Sequence, residues 1–270
     1  MIRCVILIAA VAPSLLILTY WLRKTGVSWT SEALWSAFFL GALGVFGALG
    51  IELAIDQLDF PGGSLPVISA ASRATFVAAI PEEAVKFFLL VVLVEKHVDV
   101  RRFQDVMVLG LTVSLGFATA ENFFYVTSLG DWKTVAGLRA LTAVPAHGLN
   151  GLAMGALLIS ARLDGVKGNS PRELWLVRSA LIVPMLLHAA YDFPLFAMGK
   201  HLSKVWFGTV WLLAIVLSWI FVVRLFNRVL ARAAFADMTS PHSAASKANI
   251  RLLMQSGSMG LMTRPFMGQS

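Results

Sequence analysis

Charged side chains are scarce in this 270-residue sequence, in which the 22 Lys and Arg and the 15 Asp and Glu together make up only 14% of the chain. Soluble domains carry about 25% charged residues, so this shortage excludes an ordinary water-soluble globule. The single cysteine, Cys4, excludes an intramolecular disulfide and a thiolate metal cluster. The 18 Phe and 8 Trp are too many for a disordered chain.

Several sequence signatures of known chemistry are also absent. The sequence has no Gly-x-Ser-x-Gly motif for a serine nucleophile, no His-Glu-x-x-His zinc motif, no glycine-rich phosphate loop and no internal repeat. A net charge of +7 would suit nucleic acid. The basic residues, however, lie between apolar runs, as they do in membrane proteins, so no nucleic-acid partner is predicted.

Long apolar runs dominate the rest of the sequence. Four of them lack charge and are long enough to cross a bilayer, at 4–22, 33–51, 140–161 and 205–223. Three more are interrupted by charge, at 66–94, 103–128 and 174–198. We therefore predict an all-α fold, a polytopic membrane helix bundle of about seven transmembrane helices. The first run is expected to be a retained helix, because the apolar stretch before its small-residue triplet is too short for a signal peptide.

Basic residues between the runs predict the orientation. One side of the bundle holds most of them, namely Arg23, Lys24, Lys96, Arg101, Arg102, Arg162, Lys167 and Arg172, followed by Arg224, Arg228, Arg232, Lys247, Arg251 and Arg264. The other side holds Arg3, Lys133, Lys200 and Lys204. The N-terminus is therefore predicted to lie outside and the C-terminus in the cytoplasm.

The charges inside the predicted helices are the most informative, because Asp, Lys or Arg at the bilayer centre costs about 2.5–3.5 kcal/mol on insertion scales. Glu82 and Lys86 are four residues apart on one helix face, in the favourable order. Glu83 points about 100° away, so the two carboxylates are not expected to share one direction. Pro81 removes a backbone hydrogen bond and should loosen the helix just before them. The pattern fits a polar site or a pair that only joins two helices.

The next two segments carry further polar groups. Glu121, beside Asn122, has no opposite charge on its own helix. It needs a partner from another helix or a proton of its own, and Arg139 of the following segment, which lies toward the same face of the membrane, is the expected partner. His147 follows Arg139 in that segment, and mid-helix histidine can serve as a ligand, a base or an oxyanion donor, or simply as a packing residue.

Depth connects these groups into one predicted site. His188 is four residues before Asp192, which can orient the imidazole or help it bind a metal. At 1.5 Å per residue, Glu82, Glu83, His147 and His188 all fall within roughly 4 Å of the bilayer midplane. Independent packing pairs would not be expected at a single depth, so the sequence predicts a common polar site.

Two carboxylates and two imidazoles would supply a general base, a group that positions water and donors for an oxyanion. They would also supply His and Glu ligands for zinc. Attack of water on an acyl carbon is the simplest reaction that they support. A transporter or a proton or ion pathway would use the same residue types, as would a catalytically silent membrane scaffold. A transporter would be expected to show repeats in two halves, and none is found.

Four motifs, taken in order, resemble the PrsW intramembrane proteases, which form a wider group with CAAX prenyl endopeptidases and bacteriocin-processing proteins. The motifs are Glu82-Glu83-x-x-Lys86, Phe117-x-x-x-Glu121-Asn122, Arg139 with His147-x-x-x-Gly151, and His188-x-x-x-Asp192. The resemblance implies a multi-pass endopeptidase of a bacterial cytoplasmic membrane that cuts a membrane-anchored protein near or within the bilayer. In the best-known members the substrate is a single-pass anti-sigma factor.

The same resemblance implies roles for individual residues. Glu82 and Glu83 would activate water, while His147 and His188 would position it, stabilise the oxyanion or bind metal. The supporting residues would be Lys86, Glu121, Asn122, Arg139 and Asp192. A divalent cation such as Zn²⁺ would be held by His147, His188 and Glu83. The four carboxylates outnumber the two cations, so protons or a metal must neutralise the excess, and the sequence favours neither.

The chain is accordingly predicted to have four parts. Residues 1–65 would form two N-terminal transmembrane helices and their loops, and 66–198 a catalytic core of four membrane helices. Residues 199–234 would form the final transmembrane helix, and 235–270, rich in Ser, Gly and Met, a flexible cytosolic tail.

Overall fold

The computed structural model describes residues 2–26, 32–57, 65–96, 103–128, 130–165, 170–200 and 202–239, and nearly all of them are helical. The helices are α1 (Ile2–Thr25), α2 (Glu32–Asp56), α3 (Pro66–Ser72), α4 (Ile80–Lys96), α5 (Phe103–Ser128), α6 (Trp132–Leu141), α7 (Ala143–Gly165), α8 (Ser170–Gly199) and α9 (Lys204–Thr239), with a π-helical segment (Arg73–Ala79) between α3 and α4. These ranges contain no strand, and the predicted all-α fold is confirmed.

Six helices are long and apolar enough to cross a membrane. They are Cys4–Thr25, Glu32–Asp56, Gln104–Ser128, Trp132–Asp164, Pro171–Gly199 and Lys204–Arg232. The predicted third segment is helical throughout but is divided into α3, the π-helical segment and α4, which have 7, 7 and 17 residues. The predicted membrane bundle is thus confirmed with six such helices, and the seventh crossing stays a prediction. Helix α9 continues to Thr239 and so includes residues 235–239 of the predicted tail, whereas residues 240–270 lie outside the described residues.

Small residues let the central helices approach closely, as is common in membrane bundles. Where α5 crosses α7, a Cβ on Gly110 would collide with the backbone of Gly151. Where α5 crosses α2, a Cβ on Gly116 would collide with the backbone of Phe38. As a result α5 and α7 form the buried centre, and the other long helices surround them.

One end of the bundle gathers basic residues, and we call it the basic end (Arg23, Lys24, Arg162, Arg172 and Arg232). Lys24 Nζ, near the end of α1, lies 5.5 Å from the ring centre of Phe226 on α9. Asp164, at the end of α7, contacts Arg172 of α8 at 2.9 Å and Arg232 of α9 at 2.7 Å. Basic residues that the sequence predicts on one side of the bundle therefore do lie at the same end of it.

The π-helical segment lies directly before Pro81. The Ile80 amide donates to Thr75 O, five residues back, as in a π-helix. Pro81 has no N–H to continue the ladder, and its ring disfavours the normal carbonyl geometry one turn earlier. Such π-turns are frequent at functional sites. The loosening expected from Pro81 is therefore present, in the form of a widened helix.

The structure separates Arg139 from His147, which were predicted to share one segment. Arg139 lies on α6, whereas His147 lies on α7, and the chain turns at Thr142 with φ −126° and ψ −66°. Pro145 accounts for the break, because a proline ring clashes with the carbonyl of the residue four positions earlier. Asp131 caps the other end of α6, and the hydrogen bond from Thr134 lowers the pKa of its carboxyl.

Candidate active site

Lys86 is the centre of a buried polar cluster formed by α4, α7 and α8. Its Nζ lies 3.0 Å from Glu82 Oε2, 2.9 Å from Glu83 Oε1 and 3.0 Å from His147 Nδ1. The side chain is fully buried, and its ammonium also lies 4.1 Å from the ring centre of Phe117. An ammonium has three N–H donors, and these acceptors satisfy all three.

Glu83 connects Lys86 to the third helix of the cluster. Its Oε1 accepts from Lys86 Nζ, from His188 Nδ1 at 2.9 Å and from Asn150 Nδ2 at 3.3 Å. Its Oε2 is buried and has no hydrogen-bond partner among the described residues. Glu83 is therefore fully buried, and one of its oxygens is still available for a donor or a cation.

The carboxylates of Glu82 and Glu83 converge, so the expectation that they would not share one direction is wrong. Both contact Lys86, and Glu82 Oε2 also lies 3.9 Å from His188 Nδ1. Lys86 follows them by four and three residues, and both spacings bring side chains together on a helix. The long glutamate side chains thus overcome the 100° angle between their Cα–Cβ bonds.

The hydrogen bonds of the two histidines define their protonation. Lys86 Nζ can only donate, so His147 Nδ1 accepts and its proton is on Nε2, which donates to Glu121 Oε2 at 2.8 Å. His188 faces a carboxylate oxygen with each nitrogen, Glu83 at Nδ1 and Asp192 at Nε2, the latter at 3.2 Å. Carboxylates only accept, so the His188 contacts are complete when its ring is protonated twice and carries a positive charge.

A chain of polar contacts supports His147 from behind. Glu121 Oε2 accepts from Arg139 Nη2 at 2.7 Å, which realises the predicted pair. Arg139 Nε donates to Asn122 Oδ1 at 3.0 Å, and Asn122 Nδ2 donates to Ala10 O of α1 at 3.0 Å. These contacts connect His147 to α5, α6 and α1 and hold its ring in one orientation.

A cavity of about 610 Å³ lies beside the cluster. Its wall includes α6 and residues of the later parts of α2, α5 and α8, so it extends toward the end of the bundle opposite the basic end. Glu82, His147 and His188 line it, whereas Glu83 and Lys86 are not part of its wall. Ligand cavities typically have volumes of about 300–1,000 Å³. Glu82 is therefore the carboxylate of the pair that faces space for water and a substrate.

The chain matches, over residues 30–226, the family model described as PrsW family intramembrane metalloprotease. It belongs to the PrsW family. Protease PrsW of Bacillus subtilis (strain 168) is 34% identical over 212 residues, which cover 75% of this chain and 92% of that relative. Protease PrsW of Halalkalibacterium halodurans is 33% identical over 197 residues, with coverage of 73% and 86%. No solved structure matches the chain.

The PrsW family assignment agrees with the resemblance carried by the four motifs. Protease PrsW of Shouchella clausii (strain KSM-K16) is also similar, at 30% identity over 215 residues, which cover 78% of this chain and 94% of that relative. Together with the apolar helices, these matches make the chain a multi-pass intramembrane protease of a bacterial membrane.

Three residues of the candidate site were not predicted. Asn150 donates to Glu83, and its spacing of three residues from His147 places both on one face of α7. Tyr191, one residue before Asp192, lines the cavity, and it carries no charge that would mark it in the sequence. Glu52 of α2 also lines the cavity.

The family description of a metalloprotease raises the question whether these residues fit a cation. Four of them offer ligand atoms within 4.8 Å of one another: Glu82, Glu83, His147 and His188. The outer nitrogen of each histidine lies against a carboxylate, as is usual for zinc-bound histidines. The donor types therefore fit. The Lys86 ammonium, however, already contacts three of the four, so a metal ion and Lys86 would compete for them.

Proposed function

We propose that this protein is an intramembrane endopeptidase that hydrolyses a peptide bond in a membrane-anchored, single-pass protein. The proposal is carried by the position of Glu82. Its carboxylate accepts a hydrogen bond from Lys86 and lines the same cavity as His147 and His188. A substrate of anti-sigma-factor type follows from the motif resemblance. The other reading, a transporter or ion pathway, would need a continuous polar route. Next to Glu82 of the cavity wall, however, lies the fully buried Lys86, whose three donors are all paired.

Glu82 acts as the general base in this proposal. Its carboxylate takes a proton from a water molecule, whose oxygen attacks the carbonyl carbon of the scissile bond. The same proton then passes to the leaving nitrogen as the C–N bond breaks. Lys86 keeps Glu82 charged and oriented, and its own position is fixed by Glu83 and His147.

His188 stabilises the negative charge that develops on the carbonyl oxygen. Its doubly protonated ring lines the cavity and lies at 85° to the His147 ring, with 5.3 Å between the ring centres. A fixed positive charge in a site with little water lowers the energy of an oxyanion strongly. Asp192 and Glu83 hold the ring in place. A divalent cation held by His147, His188 and Glu83 would require His188 to give up the proton on Nδ1, and the cation would then supply Lewis-acid polarisation of the same carbonyl in place of the charged ring.

Replacing Lys86 by methionine is expected to increase zinc binding. The substitution removes the ammonium that contacts Glu82, Glu83 and His147, and it leaves their negative charge uncompensated. Elemental analysis after equilibration with Zn²⁺ should show more metal per chain in Lys86→Met than in the wild type. Lys86→Arg keeps the positive charge and is the matched control. One zinc per chain in both wild type and Lys86→Met would show that lysine and metal coexist and would contradict the competition.

We further propose seven membrane crossings, with the combined helix Pro66–Lys96 as the third, and the N-terminus outside. The cavity would then open toward the outer side, away from the basic end, and cleavage would occur in the outer half of the bilayer. This placement rests on the basic residues and on the helices that form the cavity wall.

Cys4 offers a direct test of this orientation, because it is the only cysteine and is exposed at the start of α1. A membrane-impermeant maleimide should label Cys4 in intact spheroplasts. The Cys4→Ser variant controls for background. A cysteine placed in the tail of that variant, Ser256→Cys, should react only after lysis. Labelling in the reverse order would invert the proposed topology.

The proposed activity itself is tested with the full chain reconstituted in lipid nanodiscs. Incubation with single-pass model substrates, followed by mass spectrometry of the products, should reveal one cut close to the outer end of the substrate helix. Intact substrates after prolonged incubation, together with a proton flux in liposomes of the same protein, would favour the ion-pathway reading instead.

A further inference from the structure

Glu52 is the unpaired charge of the cavity. Six Asp, Glu or Arg residues line the cavity, and five of them have a partner of opposite charge. The pairs are Arg73 with Asp56, Glu82 with Lys86, Glu121 with Arg139 (both of which line the cavity), and Asp192 with His188. Among the described residues, Glu52 has neither a hydrogen bond nor an ion pair. It is half-buried on α2 and makes no contact that the proposed chemistry uses.

An unpaired carboxylate is costly to shield from water, and a substrate that fills the cavity would shield it. Both arginines that line the cavity are already paired, Arg73 with Asp56 at 2.5 Å and Arg139 with Glu121 at 2.7 Å. A cationic group of the substrate would supply the partner that the described residues do not give Glu52. A cationic side chain both neutralises the charge of a carboxylate and donates hydrogen bonds to its oxygens.

We propose that Glu52 forms a substrate-binding subsite that accepts a Lys or Arg side chain close to the scissile bond. The inference rests on the proposed peptidase function and names what that site recognises. Glu52 is thus a residue that determines specificity, and it is distinct from the groups that activate water.

Helix geometry gives the difference in level between the subsite and the general base. Gly44 of α2 is level with the stretch between Val85 and Leu89 of α4, both of which it contacts. By helix rise, Glu52 lies about 12 Å beyond that level and Glu82 about 7.5 Å beyond it in the same direction. The difference in level of roughly 4.5 Å corresponds to one or two residues of a peptide extended along the helices. The basic residue should therefore lie about one or two residues from the cut.

The subsite is tested by changing charge on both partners. A series of designed single-pass peptides carries Lys, Gln or Glu at each of the positions flanking the cut, and kcat/KM is measured for the wild type, Glu52→Gln and Glu52→Lys. We expect the wild type to prefer the best Lys peptide over the matching Glu peptide by about tenfold or more. The preference should fall below about threefold in Glu52→Gln and reverse in Glu52→Lys. Glu32→Gln makes the same change on an exposed residue of α2 and should keep the preference.

A binding measurement separates failure of the subsite from failure of the proposed function. The same peptides, labelled with a fluorophore, are titrated against Glu82→Gln protein with and without Glu52→Gln. Charge-dependent binding that requires Glu52, without cleavage by the wild type, would support the subsite and reject the peptidase. Cleavage by the wild type with the same charge preference in Glu52→Gln would overturn the subsite and leave the peptidase intact. An equal preference in binding with and without Glu52 would overturn it as well.

Discussion

Replacing Glu82 by glutamine is expected to lower kcat for peptide cleavage by about 10²–10⁴-fold. Glutamine has nearly the same shape and can still accept a hydrogen bond from Lys86 Nζ, but it cannot take a proton from water. Because Glu82 is the carboxylate of the Glu82–Glu83 pair that lines the cavity, Glu83 would not replace it. KM should change little, since the substitution removes an interaction made only in the transition state. The measurement is cleavage of a model substrate in nanodiscs.

The control for this experiment is Glu95→Gln, the same substitution on the same helix. Glu95 lies near the other end of α4, about 20 Å from Glu82 by helix rise, and it should keep wild-type kcat. Equal unfolding temperatures of all three proteins would show that the fold is unchanged. A Glu82→Gln protein that cleaves at the wild-type rate would transfer the role of base to another residue.

Depth and spacing explain why much of the site could be predicted from the sequence. Helix rise is fixed, so the level of His147 and His188 in the bundle follows from counting residues, and the two rings are indeed neighbours. The expected pairing of Glu121 with Arg139 also rested on depth, and the two meet at 2.7 Å although they lie on different helices. Depth is insensitive to a break such as that at Thr142, which explains why the pairing was predicted correctly and the helix boundary was not.

The directions of the site's side chains, and the set of residues that line the cavity, could not be predicted in the same way. The convergence of Glu82 and Glu83 depends on flexible side chains that meet at Lys86, and helix angles alone do not describe it. The sequence does not single out Glu52, because this residue comes directly after the uncharged run 33–51 and so marks only where that run ends. Only the packing of α2 against α4 and α5 reveals that it faces the cavity.

Replacing Glu83 by glutamine is expected to abolish cleavage and, unlike the change at Glu82, to destabilise the fold. Glu83 Oε1 accepts from both Lys86 and His188, and each of these two cations loses one of its two carboxylate partners when the residue is neutral. Breaking a buried ion pair by removing one partner typically costs about 3–5 kcal/mol. The unfolding temperature in detergent, followed by circular dichroism, should therefore fall well below that of Glu82→Gln.

The double variant Glu83→Gln/Lys86→Met distinguishes the ionic role of Glu83 from simple packing. When both partners are removed, no buried ammonium is left with a missing carboxylate partner, so the double variant should be more stable than the sum of the single changes predicts. Contacting pairs of this kind couple by about 0.5–3 kcal/mol in such cycles. Cleavage should stay absent, because Glu82 no longer has the cation that orients it. If Glu83→Gln unfolds at the wild-type temperature, or if the two changes simply add, Glu83 does not hold Lys86 in place and the proposed arrangement around Glu82 is wrong.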